Sequence, residues 1–263
     1  MHRFIFLIAP LACVSPACAQ GSPGSTAPTY TAATIVNSAT NTSDALAPNT
    51  LATIYGTNLS DGVSAAPEVL SPGSMLPLEL ADVRVFVAGW PAPLYYVSPQ
   101  QINFLVPADL RPGDMNVFVA RAGVAGPQAQ ITLLEVAPSL FQSQPGVVTA
   151  THADGSLITQ AHPARPGETV TVLGTGLGAT VPGVTSGMAG PIRAQIEDVS
   201  EFHILVNGAA LPAASVLYAG VAPDSPGLYW ATFIVPKSAA SNPEIRIAIG
   251  SQSSQPGLRL PLA

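Results

Sequence analysis

The chain has 263 residues and a formal net charge of −6, and only 9% of its residues are charged while 48% are hydrophobic, where a charged share of about 25% is usual. Lys237 is the only lysine, so a basic face able to track phosphates is hard to build, and nucleic acid is not expected as a partner. The 27 Pro and 23 Gly interrupt each apolar run early, which argues against long helices and for an all-β chain of short strands joined by turns.

Residues 1–19 carry a charged start at Arg3, an apolar run from Phe4 to Ala12 and small residues at Ala17-Cys18-Ala19. That order predicts a secretory signal peptide cut before Gln20. The apolar run is shorter than the roughly 20 residues of a membrane-spanning helix, and the mature chain is expected to carry no transmembrane segment. It is therefore read as secreted, periplasmic or at the cell surface. Cys13 and Cys18 are the only cysteines, and both leave with the signal, which excludes disulfides, thiol catalysis and a cysteine-ligated metal from the mature protein. An alternative reading acylates Cys13 or Cys18 as a lipoprotein anchor, although neither preceding triplet is a Leu-rich lipobox. Residues 20–33 are Gly/Ser/Pro/Thr-rich and read as a flexible tether.

From there the chain repeats itself. LAPNTLATIYGTNLSDG (Leu46 to Gly62) returns as ARPGETVTVLGTGLGAT (Ala164 to Thr180), and the segment from Asp82 to Pro107 is paralleled by Glu201 to Pro236. Each copy then closes with a further strand pair. A repeat of roughly 100 residues exceeds a solenoid period and matches one immunoglobulin-like sandwich. Alternation supports this: Val83, Val85 and Val87 share one face, with Arg84 on the other. The expected divisions are a first domain at 34–136, a linker with a β-hairpin at 137–163 and a second domain at 164–263. Asp154-Gly155 is expected to supply the positive-φ turn of that hairpin.

The segments YGTNLSD and LGTGLGA, each followed by strands, together with LYYVSPQQINFLVP, resemble the IPT/TIG variety of immunoglobulin-like domain. The order of SPQQIN, DGSL, PGETVTVLGTGLG and LYAGVAPDSPGLY over about residues 34–263 resembles an uncharacterised C-terminal module of exported acidobacterial proteins. The resemblance implies two tandem sandwiches and export, and it implies no reaction. Two features depart from the family: Tyr229-Trp230-Ala231-Thr232 stands where its second copy tends to read Tyr-Gln-Val-Asn, and the module fills nearly the whole chain.

The repeat also weighs the chemical candidates. GTGLGAT (Gly174 to Thr180) could cradle a phosphate if a helix followed, but no helical pattern follows. Asn58 stands in the first copy where Gly176 stands in the second, which reads as a shared left-handed turn. His203 aligns with Arg84 on an outward face, and His152 and His162 flank a hairpin, so all three read as solvated surface residues rather than a triad or metal site. Glu197, Asp198 and Glu201 are the metal candidates, with a solvated acidic loop preferred because no Asp-x-Asp-x-Asp ladder accompanies them. No metal and no cofactor are expected.

Tyr96 and Tyr218 occupy matching positions and read as shared packing residues. Trp90, Tyr95, Tyr229 and Trp230 are not accounted for by the repeat and are the candidate ligand-binding residues, as planar rings for a sugar face or a protein partner. The competing reading places Trp90 or Trp230 at a domain end or junction. The chain is thus expected to be a non-catalytic exported structural or binding module whose partner is a protein or polysaccharide at the cell surface. The alternatives are a carbohydrate-binding module using those aromatics and, with least support, a secreted hydrolase.

Overall fold

The computed structural model describes residues 26–68, 70–190 and 193–263; the expected signal peptide, its expected cut and both cysteines lie outside the described residues. The protein is all-β and immunoglobulin-like, built from facing antiparallel sheets. Its first half holds β1 (Ile35–Asn37), β2 (Leu51–Tyr55), β3 (Val83–Val87), β4 (Trp90–Ala92), β5 (Leu94–Val97), β6 (Gln101–Leu105), β7 (Gly113–Arg121), β8 (Val124–Ala125) and β9 (Ala129–Leu133). One sheet runs β1-β2-β6-β5, and the facing sheet runs β4-β3-β7-β8 with β9 also paired to β7.

The second half holds β10 (Ser139–Leu140), β11 (Gln142–Gln144), β12 (Val147–Val148), β13 (Ala150–Thr151), β14 (Thr169–Thr175), β15 (Thr180–Val181), β16 (Gln195–Ile196), β17 (Phe202–Val206), β18 (Ala209–Ala210), β19 (Val216–Val221), β20 (Tyr229–Ile234), β21 (Ile245–Ile249) and β22 (Gln252–Ser253). A sheet ordered β10-β14-β20-β19-β16-β15, with β13 also on β14, faces the sheet β18-β17-β21-β22, and β11 and β12 form a separate hairpin.

Period-two alternation explains why these segments pair as they do. Val83, Val85 and Val87 are fully buried while Arg84 is exposed; Ile245, Ile247 and Ile249 repeat the pattern in β21. Each set of inward side chains meets its counterpart from the facing sheet, so there are two cores. One is built around Ile54, Val85, Ile102, Phe104 and Val119, the other around Val172, Ile204, Tyr229, Phe233 and Ile247. The hairpin turns match as well. Ala88-Gly89 (φ 51° and 81°) and Asn207-Gly208 (φ 50° and 80°) close Val87 on Trp90 and Val206 on Ala209, the double positive φ that suits a two-residue turn between twisted strands.

The glycine-rich loop is scaffold. Asn58 (φ 56°) and Gly176 (φ 75°) both take the left-handed conformation. The glycine two residues earlier serves a close approach: a Cβ on Gly56 would stand 2.3 Å from the Thr29 carbonyl oxygen, and one on Gly174 would stand 2.7 Å from that of Ser139. In both halves a segment arriving from upstream crosses directly over this glycine.

That crossing corrects two expectations. The end of the supposed tether is ordered: Thr29 bridges Thr57, and Tyr30 is buried in the first core. The Tyr30 hydroxyl donates to the Pro127 carbonyl (2.5 Å) and accepts from the Val119 amide (2.8 Å). Buried Arg121 also holds this segment, donating to the carbonyl of Thr26 (2.6 Å). Composition counted Gly, Ser and Pro over the whole stretch and overlooked one large ring able to bury itself. The supposed linker at 137–163 likewise belongs to the second core, with Leu140, Val148, Ala150 and Ile158 fully buried there. The DGSL turn is present, with the His152 amide bonded to the Ser156 carbonyl (2.9 Å), but only Gly155 has positive φ. Asp154 instead accepts from the Ser156 amide (2.9 Å) and hydroxyl (2.6 Å).

Candidate functional site

Three of the four aromatic candidates converge on the junction between the halves. Tyr229 is fully buried; it shares the inward face of β20 with Ala231 and Phe233. Its hydroxyl donates to the Gly178 carbonyl (2.7 Å) and accepts from the Asn49 side-chain amide of the first half (3.1 Å). Burial pushes its pKa up to about 12. Half-buried Trp230 packs on a small cluster of Ala39 and Leu51 from the first half with Phe141, Leu173 and Leu228 from the second. Tyr95 donates to the Pro226 carbonyl (2.7 Å), and burial raises its pKa. These three rings are therefore not exposed stacking platforms.

The backbone explains Tyr95. Register shifts between Leu94 and Tyr96 in the first half and between Val216 and Tyr218 in the second, so Tyr95 and Leu217 are the extra residues of equivalent β-bulges. A bulge breaks strict alternation and re-aims its side chain, and Tyr95 is turned onto the second half. Tyr218, at the position matching Tyr96, donates from its hydroxyl to the carbonyls of Ala194 (3.2 Å) and Val221 (2.9 Å).

Further polar contacts close the junction. The Asn37 amide donates to Ser139 Oγ (3.0 Å), and the Leu51 N–H donates to Thr175 Oγ1 (2.9 Å), which itself donates to the Gly227 carbonyl (2.8 Å). The loop at Ser74 and Leu76 adds backbone bonds to Gly187 and Ala189 (2.8–2.9 Å). Gly227, at φ 76°, is pressed so close that a Cβ would lie 2.3 Å from Leu105 Cδ1. Hydrogen bonds of this kind satisfy groups that the apolar contact has removed from water.

Trp90 alone remains open, 64% exposed at the tip of the β3–β4 hairpin. Its neighbouring sheet face carries an aromatic pair that sequence reading passed over. Phe86 and Phe118 lie directly across β3 and β7, with ring centroids 4.7 Å apart and planes 12° apart. Pro91 lies across from Phe86 on β4. Beyond Phe118 an open hollow of about 420 Å³ is lined by Ala88, Gly89, Asp114, Asn116, Phe118 and Gln128. A second hollow of about 430 Å³ borders β9 at Gln130 and Thr132 and includes Asp44. The signal was an aromatic at the outward position of an alternating strand: by the rule that turned Arg84 outward, Phe86 also points out.

The remaining candidates are dispersed. Glu197, Asp198, Glu201 and His203 are exposed, and among the described residues no three His, Cys, Asp or Glu side chains stand together as metal ligands. His152 is not the solvated surface histidine expected. Nδ1 bonds Glu168 Oε1 at 2.5 Å and Nε2 faces the His162 carbonyl at 3.3 Å. Partial burial opposes the charge on His152, but its bonds to Glu168 and the His162 carbonyl outweigh that and raise its pKa. Burial likewise opposes the charge on Glu168, and the His152 bond with the Arg165 amide lowers its pKa overall.

No family model matches this sequence, and no curated protein matches it. Among solved structures it is similar to the SGBP-B of a Bacteroides ovatus mixed-linkage glucan utilization locus in complex with a mixed-linkage heptasaccharide. That match has 11% identity and a TM-score of 0.31, and covers 83% of this chain and 43% of the other. The surface glycan-binding protein PbSGBP-B from Prevotella bryantii has 14% identity and a TM-score of 0.26 over 80% and 36% of the two chains. Domains 5–6 of the S-layer protein SbsC give 8% identity and a TM-score of 0.25, over 83% and 92%. The chain spans less than half the length of the two glycan-binding proteins.

Proposed function

We propose that this chain is an exported, non-catalytic binding module in which two immunoglobulin-like sandwich domains are held as one rigid unit. The observation that carries the reading is the junction, where Tyr229 joins Asn49 of one half to Gly178 of the other in a fully buried hydrogen-bonded chain. Buried polar bonds flanked by apolar packing hold one relative orientation, because any other would leave those groups unpaired. A fixed pair of sandwiches presents its outer sheet faces in constant geometry, which suits recognition at a cell surface. The carbohydrate-binding alternative keeps its chemistry but moves from Trp90 and the three junction rings to the outer face bearing Phe86 and Phe118.

Two measurements on the purified mature chain test this. Calorimetry should give a single cooperative transition, and two independent transitions would overturn the rigid unit. A panel of chromogenic esters and glycosides should give no turnover; turnover abolished by His203→Ala or Glu201→Ala would replace the module with a hydrolase.

A further inference from the structure

We infer that the outer face of the β4-β3-β7-β9 sheet binds a neutral saccharide chain, with the free face of Phe118 as stacking platform and the amides of Asn116, Gln128 and Gln130 as hydrogen-bonding groups. The inference rests on the binding-module reading and names its ligand class.

The fold does not call for this aromatic pair. Register places Phe86 opposite Phe118 and, in the other half, Leu205 opposite Arg246. The equivalent outer face of the second half thus carries no aromatic stack, and Arg246 turns to the Ser254 carbonyl (2.9–3.0 Å). Structural demands common to both copies are met without the rings.

The arrangement of the pair also selects a ligand. Phe86 stacks on one face of half-buried Phe118, and Phe118 also lines the hollow of about 420 Å³, a volume within the roughly 300–1,000 Å³ of ligand sites. The C–H-bearing face of a sugar ring is apolar and packs flat on an aromatic ring, while its hydroxyls need donors and acceptors at the rim. Asn116, Gln128 and Gln130 are exposed amides that offer both: Asn116 lies on the outward face of β7, Gln130 on that of β9, and Gln128 just before β9. From Gln128 to Thr132 the strand advances about 13 Å, and the second hollow borders its far end at Gln130 and Thr132. A continuous polar strip between two open hollows suits a polymer that continues past the site better than an enclosed small molecule.

Charge removes the competitors. The first hollow contains no Lys or Arg, so an anion finds no partner there, and its one carboxylate, Asp114, already accepts from the Thr132 hydroxyl (2.8 Å). A metal would need several converging oxygens. A protein hot spot would need a fully desolvated apolar centre, where this face offers one ring plane rimmed by amides.

The test is affinity electrophoresis of the whole mature chain through gels containing hydroxyethylcellulose, galactomannan, dextran or starch, with polygalacturonate as the charged comparison. At least one neutral polymer should retard the wild-type chain. Phe118→Ala should weaken that association about tenfold or more, and Gln128→Ala about two- to tenfold, the loss of one neutral hydrogen bond. Phe118→Leu keeps apolar volume on the sheet while removing the flat face; it should bind as weakly as Phe118→Ala with a melting temperature near wild type. Trp90→Ala should bind as wild type does. Equal retardation of wild type and both Phe118 variants overturns the site, and retardation by polygalacturonate alone or by no polymer overturns the ligand class. Either failure leaves the rigid, non-catalytic module standing, since that reading falls only to two-step melting or to turnover.

Discussion

Replacing Tyr229 by Phe removes one oxygen from the centre of the junction and leaves the ring in place. The hydroxyl donates to the Gly178 carbonyl at 2.7 Å and accepts from Asn49 Nδ2 at 3.1 Å, and the residue is fully buried. Each hydrogen bond contributes about 1 kcal/mol net, and a buried group left without its partner costs about 1–3 kcal/mol. Tyr229→Phe is therefore expected to lower stability by about 2–4 kcal/mol, or roughly 5–15 °C in melting temperature for a chain of this size. Asn49 has φ 61°, so its partner substitution is Asn49→Gly, which keeps the left-handed backbone accessible. Any backbone entropy cost of that glycine enters both Asn49→Gly and the double variant and cancels from the coupling. Chemical denaturation of the four proteins should give a Tyr229–Asn49 coupling of about 1 kcal/mol. Additive effects within about 0.5 kcal/mol would mean that the bond across the junction is not a stabilising link and would refute the argument built on it.

Gly227→Ala should be more damaging than Gly62→Ala, although both positions have positive φ. Gly62 has open space around a Cβ while Gly227 meets Leu105 at 2.3 Å, so about 1–2 kcal/mol of left-handed strain is joined at Gly227 by about 1–3 kcal/mol of overpacking; urea midpoints would rank them. Burial raises the pKa of Tyr30, Tyr95 and Tyr229. A raised folded value makes the neutral form the stabilised one, so this contribution is intact below pH 10 and is lost as pH rises beyond it; absorbance at 295 nm should show late-titrating tyrosines coupled to alkaline unfolding. For the His152–Glu168 pair the signs oppose. The raised His152 value makes its contribution complete below 6.5 and lost as pH climbs through the folded value. The lowered Glu168 value makes its contribution present above 4.5 and lost as pH falls through the folded value. Glu168→Gln should flatten the stability profile across both limbs, and an unchanged profile would show the pair contributes nothing.

Much of the fold was legible because its causes are local. Val83, Val85 and Val87 face inward because strands alternate with a period of two, and Gly89 and Asn207-Gly208 are residues that take positive φ readily at the matching hairpin turns. Asn58 and Gly176 stand at matching positions, and both are residue types that take a left-handed backbone readily, which marks the glycine-rich loop as a shared turn. The same local logic, applied once more, would have placed Tyr229 with Ala231 and Phe233 in the core and Phe86 outside with Arg84.

What the sequence by itself determined is therefore the class of structure, the twofold repetition of its segments and the low share of charged residues, 9%. Tertiary structure decided what the individual rings meet. Tyr30 docks because Val119 and Pro127, 89 and 97 residues downstream, meet its hydroxyl, and Tyr95 leaves the alternating pattern because a bulge displaces it toward Pro226. Tyr229 and Trp230 close the junction because Asn49, Ala39 and Leu51 meet them from the other half. Alternation and turn chemistry act over a few residues, whereas these contacts depend on which distant surfaces the folded chain brings together, and no local pattern carries that information.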